Sequence, residues 1–299
     1  MRIGVHGRSM APSNLPAVLH VLERMRAHGL EPLLDEDMRA WLAENGQEAS
    51  GGVLARAGGR LKDVDLVLSL GGDGTFLGSV AMVGRAGIPV LGINLGRLGF
   101  LSSVTLEETD QALDAIVNER FTLEERSLLQ VEGAPELGEH NFALNEVSLH
   151  KRDSSSMITV HASVGGLFLN TYWADGLIVA TPTGSTAYSL SCGGPLLDPR
   201  CDALVITPIA PHNLNVRPFV VPDSHPIRLV AEARGGKCLL NLDSRSVTLE
   251  AGTGITVSRA PFSVKLVHLD GHDFMSTLRT KLTWGLDVRS GPPLLRADD

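Results

Sequence analysis

Aromatic side chains make up only 4% of the 299 residues, including three tryptophans and two tyrosines. So sparse a set offers few of the stacking platforms on which single-stranded nucleic acid binds. Positive charge is in deficit as well: 26 lysines and arginines stand against 34 aspartates and glutamates, a net charge of −8. A surface that tracks a phosphate backbone needs the opposite balance, so no nucleic-acid partner is expected. A local anion site stays open, because main-chain amides bind phosphate without net charge. The three cysteines, Cys192, Cys201 and Cys238, are odd in number, far apart and without a CxxC pair. They suggest neither a disulfide framework nor a zinc site. Ten histidines include no HExxH and no pair at metal-ligand spacing, so no metal-ligating residue is assigned. No apolar run has the roughly 18 residues of a membrane span, and the start "MRIGVHGRSMAPSN" has no apolar signal core. A cytoplasmic location without a membrane partner is the expectation. Two nucleotide motifs are missing too. GxxxxGK[ST] does not occur, and GxGxxG begun at Gly72 fails at Leu77.

What is present is the composition of a soluble globular chain, 43% hydrophobic and 20% charged, with 32 glycines as a mild excess. Its first hundred residues alternate strand and helix signals. "RIGVHG" and "EPLLD" read as strands, and "VDLVLSL" and "IPVLGIN" as strands buried on both faces. Between them, "LPAVLHVLERMRAHG" carries Leu15, Val18, Leu19, Leu22 and Met25 at helical spacing, with Pro16 in the first turn. "EDMRAWLAENG" and "GTFLGSVAMVGRAG" read as helices, the latter starting at Gly74 or Thr75. "TLEETDQALDAIVNE" adds another, with Thr105 and Glu108 spaced as a capping box. This rhythm predicts an α/β domain with a parallel, Rossmann-like sheet over residues 1–120. From 121 to 270 short strand-like runs follow one another without helices, from "FTLEERSLLQV" through "ITVSRA" and "SVKLVHL". They predict an all-β sandwich domain. Over 271–299, "HDFMSTLRTKLTWG" returns to helical spacing, a C-terminal helix expected to pack back on the first domain.

Three segments carry possible chemistry. "LVLSLGGDGTFLGS" places Gly71, Gly72 and Gly74 around the single acid Asp73, at the carboxyl end of a buried strand. Ligands of open parallel sheets bind beyond such ends, and a helix beginning there favours an anion. A carboxylate would repel a phosphate unless a metal intervenes or it faces a hydroxyl; facing a hydroxyl beside a phosphate site, it is the proton acceptor that a kinase needs. The bland alternative is a tight turn with Asp73 as helix N-cap. "WADGLIVATPTGSTAYSLSCGGPLLDP" brings many hydroxyls between Thr181 and Ser191, with no charge, bracketed by Asp175 and Gly193-Gly194-Pro195. It reads as a solvated loop or, because Leu177, Ile178, Val179, Tyr188 and Leu190 look buried, as hydroxyls on a packed frame for sugar, base amide or phosphate. "ALNEVSLH" sets Asn145 and Glu146 in an apolar strand, where they suit ribose hydroxyls and a base edge; a surface strand also accommodates Glu146. Lys151 and Arg152 next to it are either a phosphate contact or a solvated hairpin turn. "NLGRLGF" forms a second loop at the sheet edge of Asp73.

In that order along the chain, "GGDGTFL", "GINLGRLGFL", "LNEVSLH", "DGLIVATPTGSTAYSLSCGGP" and "ITPIAPHNLNVRP" resemble the bacterial NAD kinases over roughly residues 66–221. GGDG turns also occur in lipid kinases and phosphofructokinases; the combination with NE and TPTGSTAYS is specific. The resemblance implies an α/β, phosphofructokinase-like domain followed by a β-sandwich, assembled as a homodimer or homotetramer. It implies transfer of phosphate from ATP, with a divalent metal, normally Mg²⁺, to the 2′-hydroxyl of the adenosine ribose of NAD, giving NADP. On it, Asp73 is the proton acceptor and, with Gly74, touches NAD. Asn145, Glu146, Asp175, Thr186, Ala187, Tyr188, Ser189, Leu190 and Ser191 bind the dinucleotide as well. Gly71, Gly72, Gly74 and Thr75 lie near the phosphates of ATP, and Leu77, Thr183 and Arg245 are further candidates.

This chain departs from some relatives at Trp173, where they carry a basic residue, and at Ser156, where they carry histidine. Arg245 stands where an amide or histidine is frequent. The choice between NAD and NADH, and between ATP and polyphosphate, is open at this stage. Two other classes share parts of the pattern. A lipid kinase with the same turn needs an acyl pocket and a membrane-binding surface, of which there is no sign. A non-catalytic dinucleotide sensor has no use for an acid among three glycines.

Overall fold

In the computed structural model the described residues are 1–284, apart from 9, 49–50, 58–59, 62, 97–98 and 153–155. They divide into two units. The first takes Met1–Ser79, Ile88–Glu124 and the chain from Leu266 onward; the second takes Val80–Gly87 and Glu125–Lys265.

The first unit is built on short apolar strands with nearly every side chain buried, the pattern of strands covered on both faces. Arg2–His6 lies between Glu31–Leu34 and Leu66–Leu70, and Val90–Ile93 follows on the far side of Leu66–Leu70; all pair in parallel. Gly52–Val53 extends the sheet beyond Glu31–Leu34, and Leu266 pairs in parallel with Val90. Strand order therefore reverses between Arg2–His6 and Leu66–Leu70. Beyond the carboxyl ends of those two strands lies the switch point where open α/β sheets bind ligands. Gly71 follows Leu70 directly, so the GGDG turn stands there.

Helix Leu15–Ala27 has proline in its first turn and buries Val18, Val21, Leu22 and Met25. Helix Glu36–Glu44 is capped by Asp35, whose carboxylate accepts the Met38 N–H at 2.8 Å. The next helix spans Asp73–Val83 and begins before the expected Gly74 or Thr75. The reason is local: the N–H groups of Thr75 and Phe76 both donate to the Gly72 carbonyl, at 3.0 and 3.1 Å, which draws Asp73 into the first turn. Helix Thr109–Val117 begins later than the Thr105 expected. Thr105 N–H does donate to Glu108 Oε2 at 2.8 Å, but Glu108 and Thr109 bond back three residues, a tight turn preceding the helix proper. Helix Phe274–Leu282, capped by the Asp273 side chain on Ser276 N–H, closes the described chain.

The second unit is a sandwich of two largely antiparallel layers. One is six-stranded, in the order Phe219–Pro222, Ala203–Ile209, Gly176–Ala180, Glu146–Lys151, Lys237–Leu242, Arg245–Glu250. The other runs Leu167–Ala174, Ile158–Val164, Ile227–Glu232, Gly254–His268, the last also pairing with Thr122–Glu132. Val147, Leu149, Leu177, Val179 and Leu240 of the first layer pack with Val160, Ala162, Leu229, Ile255 and Val257 of the second. The fold class is therefore the one expected, α/β with a parallel sheet plus a β-sandwich. Two runs expected as separate strands, "ITVSRA" and "SVKLVHL", form one strand, Gly254–His268. Pro261 between them reads as a break, yet its fixed φ is compatible with extended backbone.

Candidate functional site

The turn in the first unit is organised around one carboxylate. Asp73 Oδ1 accepts the N–H groups of Leu101 at 3.0 Å and Ser102 at 3.1 Å, and Oδ2 accepts that of Phe100 at 2.9 Å. Asp73 thus does not cap its own helix, which removes the bland alternative. An ionised carboxylate has about four lone-pair sites. Three are occupied by amides, and the remaining one is on Oδ2. The approach is close enough that a Cβ on Gly99 would stand 1.8 Å from Asp73 Oδ1. Lys281, from the C-terminal helix, lies 5.4 Å from the ring centroid of Phe100. Within "NLGRLGF", Arg97 and Leu98 lie outside the described residues.

The glycines of the turn differ in kind. Gly71 has φ 148°, and a Cβ there would meet Thr75 Oγ1 at 2.4 Å, so this position is set by packing. Gly72 and Gly74 are exposed, and a Cβ on either would meet nothing within 4 Å. Among the described residues nothing demands glycine at those two positions, and their main chain is open to close approach. Helix Asp73–Val83 leaves its first amides unsatisfied at the same place, a charge distribution that suits phosphate. Thr75 and Leu77 are half-buried on its first turns.

In the second unit Asn145 and Glu146 stand at the start of strand Glu146–Lys151. Asn145 Oδ1 and Glu146 Oε2 are buried and have no hydrogen-bond partner among the described residues. Burial, reinforced by the nearby Asp243 charge, pushes the Glu146 carboxyl up to about 8. The backbone of the pair is held by Asp243, whose carboxylate accepts the N–H groups of Leu144, Asn145 and Glu146. Gly184 packs so tightly beneath that a Cβ would lie 2.0 Å from the Asn145 carbonyl oxygen.

The hydroxyl run splits into two groups. Thr181, Thr183, Ser185 and Ser189 are buried, and their hydroxyls serve the fold. Thr181 Oγ1 donates to the Leu144 carbonyl at 2.6 Å, Ser185 Oγ to that of Pro182 at 2.6 Å, and Ser189 Oγ pairs with Thr207 Oγ1 at 2.8 Å. Arg126 Nη1 reaches Thr183 Oγ1 at 3.4 Å. The outward members are Thr186, Ala187, Tyr188, Leu190 and Ser191. Tyr188 stacks flat on His150, centroids 5.7 Å apart. The run is thus neither a solvated loop nor a uniform row of donors. It is a packed frame with one exposed edge.

Asp175 forms an ion pair with Lys151 at 2.6 Å, which ties the lysine into the strand region. Arg245 donates to the carbonyls of His140 and Phe142 and lies over the Phe142 ring, so its guanidinium braces the backbone. Trp173 and Ser156 line one surface groove with Met157, Thr159 and Arg234. Three functional-looking groups escape a reading of the sequence: the amides of residues 100–102, Gly99 and Asp243. The first two act through main-chain geometry and Asp243 through its carboxylate on main-chain amides, and only the glycine leaves a sequence signal, in "RLGF". Among the described residues no three His, Cys, Asp or Glu side chains cluster as a metal cage, and no helix is long and apolar enough to cross a membrane.

Known proteins share both domains of this chain. Residues 53–121 match the ATP-NAD kinase N-terminal domain and residues 144–269 the ATP-NAD kinase C-terminal domain. The chain is 44% identical to the NAD kinase of Cytophaga hutchinsonii, over 97% of this chain and 100% of that protein. It is 50% identical to a Bacteroides fragilis NAD kinase, over 76% of this chain and 79% of that one. Among solved structures, yeast NADH kinase complexed with NADH aligns with a TM-score of 0.80 at 25% identity, over 99% of this chain and 90% of that one. An NAD kinase from Archaeoglobus fulgidus in complex with ATP aligns at 0.75 and 26%, over 95% of this chain and 99% of that one. With both domains matched in order and relatives this similar over nearly its whole length, the chain belongs to the ATP-NAD kinase family.

Proposed function

We propose that this chain carries out the family's reaction, in which ATP and NAD give NADP and ADP, by receiving the 2′-hydroxyl of the adenosine ribose on Asp73. The observation that carries the reading is the three-amide clamp, which orients the carboxylate and leaves one Oδ2 lone pair for a hydroxyl. The hydroxyl donates to that lone pair and attacks the γ-phosphorus; the proton passes to Asp73 as the bond to the leaving phosphate lengthens. A carboxylate is a weak base for an alcohol. Phosphoryl transfer has a loose transition state in which the proton leaves late, so orientation counts for more than basicity. The exposed main chain at Gly72 and Gly74, with Gly71 and Thr75 beside them, receives the triphosphate at the helix N-terminus.

Asn145 and Glu146 bind the dinucleotide through their unpartnered polar atoms. Asp175 and the exposed edge Thr186, Ala187, Tyr188, Leu190 and Ser191 add contacts, while Ser189 and Thr183 hold that edge in place. A divalent metal, Mg²⁺ on our reading, fits as a companion of the nucleotide: among the described residues there is no carboxylate cage, and phosphate oxygens would supply its ligands. It would shield phosphate charge when bound. We place the enzyme in the cytoplasm as a homodimer or homotetramer, which size-exclusion chromatography with light scattering tests.

The decisive assay incubates purified protein with Mg-ATP and NAD and reads NADP with an NADP-specific dehydrogenase. NADP formation dependent on ATP is expected, and its absence refutes the reading. Parallel reactions with NADH and polyphosphate fix acceptor and donor.

A further inference from the structure

Asp243 occupies the turn between strands Lys237–Leu242 and Arg245–Glu250, in the left-handed region at φ 51°. Its carboxylate accepts the N–H groups of Leu144 at 2.8 Å, Asn145 at 2.8 Å and Glu146 at 3.2 Å. Its own N–H donates to the Glu146 carbonyl at 3.0 Å. One residue therefore holds the main chain of the Asn145–Glu146 pair from both sides. It also brings a second carboxyl against Glu146 in a buried place.

Two carboxyls so placed do not both ionise readily. Burial raises each of them, but the three amide donors and the neighbouring Arg245 favour charge on Asp243. Glu146 Oε2 has no such donor. The other groups that feel Glu146, Tyr188 and Cys192, are themselves pushed up by burial and stay neutral near pH 7. Asp175 and His150 stand next to Tyr188, and Asp175 is neutralised by Lys151. Among the described residues the one charge that shifts Glu146 is that of Asp243, so the proton rests on Glu146.

We propose that Asp243 is a positioning residue for the dinucleotide, which fixes Asn145 and Glu146 through its hydrogen bonds to their main chain. Its buried charge beside Glu146 also favours the neutral carboxylic acid there. The pair then presents an amide acceptor, Asn145 Oδ1, beside an O–H donor, Glu146. Its match is a nucleoside edge with a donor beside an acceptor, as on a ribose hydroxyl pair or the amino and ring-nitrogen edge of adenine. A phosphate, which has acceptors only, does not match. This rests on the reading of Asn145 and Glu146 as NAD contacts.

The test is titration of NAD into the full-length protein by calorimetry between pH 6.5 and 9.5. Wild type, Glu146→Gln, Glu146→Ala and Asp243→Asn are compared, with a melting temperature for each. Wild-type affinity is expected to be flat below about pH 8 and to weaken up to about ten-fold per unit above it, the slope of one essential proton. Glu146→Gln, which mimics the neutral acid, binds at pH 7 at least ten-fold more tightly than Glu146→Ala and shows no alkaline loss. Asp243→Asn weakens NAD binding about ten-fold, and its alkaline loss begins at lower pH; in steady-state kinetics its KM for NAD rises about ten-fold, with kcat and the KM for ATP within two-fold. Glu146→Gln as weak as Glu146→Ala, or a wild-type profile flat through pH 9.5, overturns the proposal. If Asp243→Asn does not fold, those two comparisons still decide. Conversion of NAD to NADP by the wild type, run alongside, separates the outcomes: without it the proposed function fails, and with it but without the pH profile only this inference does.

Discussion

Asp73 and Gly99 are in such close contact that a single methyl group on the glycine would lie 1.8 Å from the Asp73 Oδ1 oxygen. The loop over residues 99–102 therefore folds onto the carboxylate only because position 99 has no side chain. Gly99→Ala is expected to push the loop off Asp73 and break at least one of the three amide bonds. Turnover should fall by about 10²-fold, in line with misplacement of a reacting group by roughly 1 Å. Steady-state kinetics with a melting curve checks this; turnover near wild type refutes the clamp.

Asp73→Asn keeps the shape of the side chain but turns one oxygen into an amide donor, which faces either a backbone N–H or the incoming hydroxyl. A loss of about 10²- to 10⁴-fold in kcat is expected, the usual weight of a general base. Equal loss in kcat and kcat/KM would mark an interaction made only in the transition state. Unchanged turnover would remove Asp73 from the chemistry.

Gly74→Ala separates packing from ligand space. The position is exposed and a Cβ meets nothing, while alanine is the better helix former by up to about 1 kcal/mol. The variant should melt at the same or a higher temperature and yet be a poorer kinase, with the KM for ATP or NAD raised about ten-fold or more. A variant that is both stable and fully active would show that no ligand lies on this stretch of main chain.

Glu146→Gln should stabilise the fold in a pH-dependent way. The folded-state pKa, about 8, lies above the ordinary value of 4.5, so the unfolded chain loses this proton first. Stability from this group is full below pH 4.5 and declines as pH rises towards 8. The gain from glutamine is thus small at pH 5, grows through neutrality and levels off above pH 8. A rise of roughly 3–6 °C at pH 7 is expected for a chain of this size. A gain independent of pH would show that Glu146 is ionised in the folded protein.

Much of this was legible from residues alone, for identifiable reasons. Leu66–Leu70 and Val90–Ile93 announce themselves because strands buried on both faces cannot contain polar residues freely. The GGDG turn stands out because glycine density is rare outside places where main chain is approached. Strand Leu167–Ala174 escapes notice, since Asn170 and Thr171 interrupt its apolar pattern and its first two residues are exposed. The division of labour in the hydroxyl run is invisible for another reason. Serine and threonine look the same whether they bond to a carbonyl or to solvent, and only packing turns Ser185 and Ser189 inward. Asp243 reads as a common turn residue; its work is done on amides about a hundred positions earlier in the chain.

The parallel pairing of Leu266 with Val90 has a bearing on how the molecule is made. Val267 and Leu269 pack in the same core as Ile3, Val5, Leu68 and Leu91. During synthesis, the first unit emerges long before the residues that complete it. Until then the Val90 end of strand Val90–Ile93, beyond the reach of Val104 beside Ile93, is an open edge of the kind that pairs with other chains. A fragment ending near residue 124 should consequently aggregate rather than fold. A circularly permuted chain that begins near residue 266 should acquire the first unit early and refold with less loss.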